Sequence, residues 1–294
     1  MENISRRTAI KTALVGGAAL AVSGLEAANP AKKKKAETKE PLKGNVRHSV
    51  SKWCFGDYPL EEFCGICKNI GIESIELLDP KDWPVVQKNG LTVAMCQGAG
   101  LGIDRGFNDP KLHDELVASY EAVIPQVAAA GLTNLICFSG KRNGLTDLQG
   151  WENCEKGLKR LMPLAEKHNV VLTMELLNSV GHKDYQCDHT VWGVELCRRV
   201  GSPNFKLLYD IYHMQIMEGN IIENIQKYHE YFSHIHTGGN PGRAEIDETQ
   251  ELYYPAIMKA LVETGYNGFV GQEFVPRQQD KIASLEKCIR ICDV

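Results

Sequence analysis

The sequence predicts an α/β protein with one (β/α)8-barrel (TIM-barrel) domain over residues 48–294. From about residue 48, short apolar runs rich in β-branched residues alternate with longer amphipathic segments, as strands alternate with helices. Eight such units fit into this stretch, and a closed eight-stranded barrel typically takes about 250 residues. The first strand also lacks the glycine-rich phosphate loop that usually follows the first strand of an open, doubly wound sheet. The closed barrel is therefore favoured.

Each predicted strand is followed by a predicted helix. We expect the strands at residues 49–55, 74–78, 92–96, 134–138, 170–175, 205–210, 232–236 and 268–273. We expect the helices at residues 60–70, 83–89, 110–130, 148–168, 190–200, 221–228, 254–264 and 279–292. A glycine follows several of these helices, for example Gly71 and Gly201, and a residue that adopts the left-handed conformation is a common helix stop.

Residues 1–47 differ from the rest of the chain and predict an export signal and a linker. Arg6 and Arg7 stand directly before a mild apolar stretch from Thr12 to about Ala28, which is typical of a twin-arginine signal. That stretch is too short and too rich in Gly and Ala for stable membrane insertion. We therefore expect a signal at 1–28, a basic linker at 29–47 and a periplasmic or otherwise exported protein. A disordered basic tail is the alternative interpretation.

The charge of the chain is unevenly distributed and argues against nucleic-acid binding. Residues 1–47 hold ten Lys and Arg and four Asp and Glu, whereas residues 48–294 hold 23 and 33, which gives the predicted barrel a net charge of -10. A domain this acidic repels phosphate backbones. The expected partner is a small molecule. The sequence is compatible with a homo-oligomer and does not require one.

The ten cysteines are spread through apolar segments and are expected to be mostly small buried hydrophobes. Cys64 and Cys67 form a CxxC, but this pair lies inside a helical pattern and lacks the flanking strand of a redox motif. A chain of this length does not need disulfides to stabilise its core. One or two disulfides remain compatible with the pattern.

The last four predicted strands each end in a residue that can bind a metal. These residues are Glu175, Asp210, His236 and Glu273. In a barrel the carboxyl ends of the strands form the active site, so the four side chains are expected at one level. Three carboxylates without a Lys or Arg at that level would repel one another strongly unless a cation lay between them. An oxygen-rich set with one imidazole favours a single divalent ion, Mg²⁺, Mn²⁺ or Co²⁺, over structural zinc. A polar strand cap is the alternative for any one residue alone.

Such a site predicts proton transfer next to a carbonyl group. A hard cation can bind the two adjacent oxygens of an α-hydroxycarbonyl compound, acidify the neighbouring C–H and stabilise the enediolate. Glu175 and Glu273 belong to different strands and are expected on different sides of the ion, where each can act as a general acid or base. The prediction is 1,2-isomerisation or epimerisation of a small sugar or hydroxy-carbonyl compound.

Two further residues are candidate substrate contacts. His213 follows Asp210 by three positions and is expected in a loop above the sixth strand. Arg243 lies in a Gly/Pro-rich loop after His236, which can bring its guanidinium over the barrel mouth. A solvated surface residue is the alternative for both.

At these residues the sequence resembles the xylose isomerase-like TIM-barrel superfamily, and within it the hydroxypyruvate isomerase branch. The matching stretches are Glu175–Asn178, Leu207–Gln215, Pro241–Arg243 and Gly271–Phe274. The resemblance implies a divalent metal on Glu175, Asp210, His236 and Glu273, with the two glutamates as the proton-transfer pair. It also implies substrate contacts from His213 and Arg243.

The sequence departs from that branch in three respects. His236 stands where some hydroxypyruvate isomerases have glutamine, whereas ketose 3-epimerases of the superfamily have histidine. The stretch 182–189 is longer and more polar than is typical and is expected to add to the substrate pocket. The predicted export signal favours a free sugar or a modified glycoside over an intracellular three-carbon acid.

The leading hypothesis is an aldose–ketose isomerase that acts through an enediolate. Other functions use the same site: a ketose 3-epimerase, or a metal-dependent lyase or hydrolase on an oxidised sugar. A DNA-repair endonuclease would need more clustered ligands and a basic face. An exported sugar-binding protein would tolerate Glu175→Gln and Glu273→Gln with ligand affinity retained.

Overall fold

The structure is a computed structural model that describes residues 40–294, and residues 41–294 form one compact unit. The predicted export signal at 1–28 and the linker up to residue 39 lie outside the described residues. The last residues of the predicted linker contact the barrel. The backbone N–H of Lys43 donates to both carboxylate oxygens of Asp293, at 2.9 and 3.1 Å, and Val46 is buried.

In the part of the chain that the structure describes, seven parallel strands form a curled sheet in the order β2-β1-β7-β6-β5-β4-β3. They are β1 (Arg47–Ser51), β2 (Ser74–Glu76), β3 (Asn134–Cys137), β4 (Val171–Glu175), β5 (Phe205–Asp210), β6 (Phe232–Thr237) and β7 (Phe269–Gln272). The strand predicted at 92–96 is present only as single bridges, in which Thr92 pairs with Ser74 and Cys96 pairs with Leu78 and Leu135. These bridges connect β2 to β3. The predicted barrel fold is thus confirmed. The segment at 92–96 takes the place of the predicted third strand and closes the ring through these bridges.

Within residues 40–294, ten α-helices surround the sheet. They are α1 (Leu60–Ile70), α2 (Trp83–Lys88), α3 (His113–Ala129), α4 (Asp147–Lys159), α5 (Met162–His168), α6 (Thr190–Val200), α7 (Ile211–Met217), α8 (Ile221–Tyr228), α9 (Tyr254–Glu263) and α10 (Lys281–Cys292). The helix predicted at 148–168 is divided into α4 and α5. Pro163 lies in the first turn of α5 and has no N–H to donate to Lys159, so the helix breaks there.

The structure corrects the sequence prediction at two places near the barrel mouth. The first strand ends at Ser51, and Lys52–Phe55 form a 3-10 turn because a short apolar run does not by itself distinguish a strand from a turn. His213 lies in the first turn of α7 and not in a loop. The carboxylate of Asp210 caps this helix by accepting from the backbone N–H groups of Tyr212 and His213.

The core is apolar and includes all ten cysteines, which are buried and free. The prediction that most of them are buried hydrophobes is therefore confirmed, and the CxxC pair lies within α1 without a disulfide. Within residues 40–294, no helix combines the length and the apolar character that crossing a membrane requires.

Candidate metal centre

The four predicted ligands converge at the carboxyl ends of neighbouring strands. Glu175 and Asp210 are the last residues of β4 and β5, His236 lies near the end of β6, and Glu273 directly follows β7. All four are buried, and one donor atom from each lies within 4.8 Å of the donor atoms of the other three. The parallel register places these ends at one level, since Asp210 pairs with His236 and Thr237 pairs with Gln272.

The donor set fits a divalent cation. His236 Nδ1 lies 2.7 Å from Glu273 Oε2, 3.6 Å from Glu175 Oε1 and 3.9 Å from Asp210 Oδ2. This buried nitrogen forms no hydrogen bond with a described residue. A buried polar nitrogen normally has a bonding partner, and a cation bound between this nitrogen and the three carboxylate groups would be that partner. Three carboxylates and one imidazole suit Mg²⁺, Mn²⁺ or Co²⁺.

Arg243 also belongs to this cluster, which corrects one premise of the sequence prediction. Arg243 Nη2 donates to Asp210 Oδ2 at 3.0 Å and to Glu273 Oε2 at 2.5 Å. The expectation that no Lys or Arg lies at the level of the carboxylates is therefore wrong. Its loop turns inward with Arg243 in the left-handed region, at φ 53°, and local backbone conformation of this kind leaves no clear pattern in the sequence.

The buried charges give the two glutamates different pKa values. Burial raises the pKa of Glu175 to about 7, and the negative charges of Glu273 and Asp210 act in the same direction, so that together they outweigh the lowering by His236. Burial acts in the same direction on Glu273, but the positive charges of His236 and Arg243 outweigh it and hold its pKa well below the usual range. One glutamate therefore exchanges a proton near neutral pH while the other stays ionised.

His213 accepts a hydrogen bond at one ring nitrogen and lies against Arg243 with the other. Its Nε2 lies 2.5 Å from Arg243 Nη1, and its Nδ1 lies 3.2 Å from the backbone N of Asn178. Burial lowers the pKa of His213 well below its usual value, and the guanidinium of Arg243 lowers it further. The imidazole is therefore neutral and linked to the carboxylate cluster through Arg243.

A cavity of about 600 Å³ opens above the cluster. Its wall includes Trp53, Leu77, Asp79, Gln97, Ala99, Ile103, Ile136, Phe138, Glu175, Leu177, His182, His213, Arg243 and Glu273. The two glutamates, His213 and Arg243 thus face a space large enough for a small organic ligand. Within residues 182–189, which were expected to add to the pocket, His182 contributes to this wall.

Sequence analysis missed three contacts of the cluster. Trp53 Nε1 donates to Glu273 Oε1 at 2.6 Å, Asn178 supports His213, and Glu76 lies 2.6 Å from His236 Nε2. Glu76 lies inside the strand predicted at 74–78 and not at its end, so the strand-end pattern that identified Glu175 did not select it. Trp53 belongs to an aromatic segment that could line the pocket, but an aromatic residue in an apolar run is more often part of the core.

The comparison with known families agrees with the geometry. The sequence pattern of the family described as xylose isomerase-like TIM barrel matches residues 65–291, more than two thirds of the chain. The chain belongs to this family. The resemblance inferred from the strand-end motifs is thereby confirmed.

Individual relatives in this family carry isomerase names. A hydroxypyruvate isomerase from Escherichia coli (strain K12) is 28% identical over 234 residues, which cover 76% of this chain and 90% of that protein. A putative hydroxypyruvate isomerase from Homo sapiens is 34% identical over 114 residues, which cover 39% of this chain and only 41% of the human protein. A solved structure described as AP endonuclease, family 2, from Brucella melitensis superposes with a TM-score of 0.75 at 25% identity, covering 82% of this chain and 97% of that one.

Proposed function

We propose that this protein is a metal-dependent aldose–ketose isomerase of the hydroxypyruvate isomerase type, acting through an enediolate by proton transfer between Glu175 and Glu273. The observation that supports this most strongly is the convergence of Glu175, Asp210, His236 and Glu273 within 4.8 Å at the base of a cavity of about 600 Å³. The isomerase names of the relatives agree with this chemistry.

Glu175, Asp210, His236 and Glu273 would hold one divalent ion. When bound, the ion would supply a positive charge that stabilises developing negative charge on the substrate oxygens. Asp210 and His236 do not face the cavity, and their role is to hold the ion. Glu175 and Glu273 line the cavity, so their carboxylates also reach the substrate.

The two glutamates divide the proton transfer. Glu273 is ionised and fixed by Trp53 and by Arg243, so it can accept a proton from the carbon next to the substrate carbonyl without reorienting. Glu175 lines the same cavity on a different strand and would give a proton to the adjacent carbon, while the substrate hydroxyl proton passes to the former carbonyl oxygen. In the reverse reaction the two residues exchange these roles.

Arg243 and His213 would orient the substrate. Arg243 lines the cavity, and its Nη1 keeps one N–H beyond the contacts to His213, Asp210 and Glu273, which can donate to a substrate oxygen. His213 is neutral and stays close to Arg243, so it adds a polar contact without adding charge.

The charges of the cavity wall support a hydroxylated, uncharged substrate. Among the described wall residues, Arg243 is the one Lys or Arg, and its guanidinium already faces Asp210 and Glu273. Asp79 adds a negative charge to the wall, which would repel a carboxylate at the far end of the ligand. We propose a free sugar or a keto-glycoside, consistent with export through the paired arginine Arg6-Arg7.

The test is solvent deuterium incorporation. Protein loaded with Mg²⁺, Mn²⁺ or Co²⁺ is incubated in D₂O with aldoses, ketoses, hydroxypyruvate and keto-glycosides, and products are followed by NMR and mass spectrometry. Isomerisation leaves deuterium at carbon and otherwise conserves the mass of the substrate. Fragmentation of the substrate would instead indicate a lyase or hydrolase. Binding without any exchange would indicate a sugar-binding protein.

A further inference from the structure

A buried carboxylate crosses the interior of the barrel from β2 to reach the histidine of the metal centre. Glu76 ends β2 and is fully buried. Two small residues lie on the strands between it and β6: Ser49 on β1 and Gly271 on β7, which pair with each other in the sheet. Gly271 also pairs with His236 on β6. Because these positions carry little or no side chain, the carboxylate of Glu76 passes over them to His236.

The carboxylate is surrounded by donors. His236 Nε2 lies 2.6 Å from Glu76 Oε1, and His234 Nε2 lies 2.9 Å from Oε2. The hydroxyl of Ser49 donates to Oε2 at 2.5 Å. A barrel interior is normally filled by branched apolar residues. Burying this polar cluster there costs free energy, which its hydrogen bonds must offset.

The contact determines which nitrogen of His236 carries the proton. A carboxylate accepts and does not donate, so the Nε2 that faces Glu76 must be the N–H nitrogen. In the neutral ring, Nδ1 is then the nitrogen with the free lone pair. Nδ1 is the atom that faces Glu175, Asp210 and Glu273.

We propose that Glu76 is a positioning residue that fixes the tautomer and ring orientation of His236, so that Nδ1 serves as the metal ligand. This inference rests on the proposed metal centre. Glu76 is absent from the cavity wall, so it acts through His236 and not by touching the substrate. Partners of this kind typically change metal affinity by about 10–100-fold when they are removed.

Two independent substitutions break the same contact. Glu76→Ala removes the carboxylate. Gly271→Ala leaves the carboxylate in place but adds a Cβ that would overlap Glu76 Oε1 and lie 2.9 Å from His236 Cδ2, so both partners of the contact must shift. The backbone of Gly271 lies outside the left-handed region, so alanine is compatible with it. Glu76→Ala is therefore the selective change, and Gly271→Ala is a second, less selective disruption of the same contact.

The experiment measures Mg²⁺ and Mn²⁺ affinity of the full chain by calorimetry. We expect Glu76→Ala to weaken binding by about 10–100-fold, and Gly271→Ala to weaken it at least as much because it also displaces His236. Glu76→Gln keeps an acceptor oxygen and should retain more affinity than Glu76→Ala. In the Mg²⁺-loaded wild type, ¹⁵N NMR should show a proton on Nε2 of His236 and none on Nδ1.

Thr173→Val is the matched control. Thr173 is a buried polar residue of the barrel interior whose hydroxyl contacts Ser233, at 2.9 Å, and not Glu76. This variant should bind metal like the wild type even if its melting temperature falls. Wild-type affinity in Glu76→Ala, or a proton on Nδ1, would overturn the inference. Failure of deuterium incorporation by the wild type would contradict the proposed isomerase but leave these affinity results intact.

Discussion

Arg243 and Glu273 are joined by two contacts at the base of the cavity. The Nη2 of Arg243 donates to Glu273 Oε2 at 2.5 Å, and its Nε donates to the backbone carbonyl of the same residue at 3.1 Å. The guanidinium thus partly neutralises the carboxylates of the candidate metal centre. It is a resident cation close to the place where a divalent ion would bind.

This arrangement predicts opposite effects of Arg243→Gln on metal and substrate. Removing a like charge next to the ligands should tighten Mg²⁺ binding. Losing the donors at the cavity wall should lower kcat/KM by about 10²–10³-fold. Calorimetry and steady-state kinetics measure the two effects. Arg198→Gln, an exposed change on α6, is the control and should alter neither. Weaker metal binding in Arg243→Gln would contradict this account.

The pKa of Glu175 predicts how metal binding depends on pH. Burial raises this pKa to about 7 in the metal-free protein, above the value of about 4.3 expected for an unfolded glutamate. The stability that Glu175 contributes is therefore fully present below about pH 4.3 and is lost as the pH rises through 7. Metal binding requires the ionised carboxylate, so the affinity for the metal should increase as the pH rises through 7.

We therefore expect Mg²⁺ affinity to rise between pH 6 and pH 8, with proton release on binding. Titrations in buffers of different ionisation enthalpy measure that release. His236, whose pKa is also raised because Glu273 and Glu76 outweigh its burial, contributes in the same direction. Glu175→Gln should release fewer protons per ion than the wild type. An affinity that is constant across this range would rule out the explanation.

Metal removal should lower thermal stability reversibly. A ligand that binds only the folded state at 100 times its Kd adds about 2.7 kcal/mol, which corresponds to roughly 5–10 °C for a domain of this size. Differential scanning fluorimetry after chelation, with and without added Mg²⁺ or Mn²⁺, measures the shift. Asp210→Asn is the matched variant and should lose most of it. An equal shift in this variant would place the ion elsewhere.

The buried cysteines should be chemically silent in the folded protein. All ten are free and buried, and burial raises the pKa of Cys197 and of Cys292 to about 12. Thiolates are the reactive form, so a thiol reagent such as DTNB should label none of the ten before unfolding and all ten afterwards. Rapid labelling of any cysteine in the folded protein would contradict the burial described here.

Much of the fold was predictable because it depends on local pattern. The helices expected at 60–70, 190–200 and 221–228 have those bounds in the structure, since each has an amphipathic pattern with a clear end. Helix α7 was missed because it is only seven residues long, and its start depends on Asp210 capping it. The strand at 92–96 was predicted at full length, but only single bridges form there.

The site was predictable where residues end strands and not where it depends on tertiary contacts. Strand ends brought Glu175, Asp210, His236 and Glu273 together, as expected. The inward position of Arg243 depends on a loop conformation, and the contact of Glu76 with His236 depends on Gly271 lying between them in register. The roles of all these residues in metal binding and catalysis stay predictions.

The most direct test of the central claim is solvent exchange by single-glutamate variants. In D₂O the metal-loaded wild type should convert a sugar or keto-glycoside with deuterium at the reacting carbon. Glu175→Gln and Glu273→Gln should each lower conversion by about 10²–10⁴-fold. Each variant should still exchange a proton through the glutamate that remains, whereas Glu62→Gln, an exposed change on α1, should behave as the wild type. Conversion at the wild-type rate in both variants, or no deuterium incorporation by the wild type from any substrate, would contradict the account.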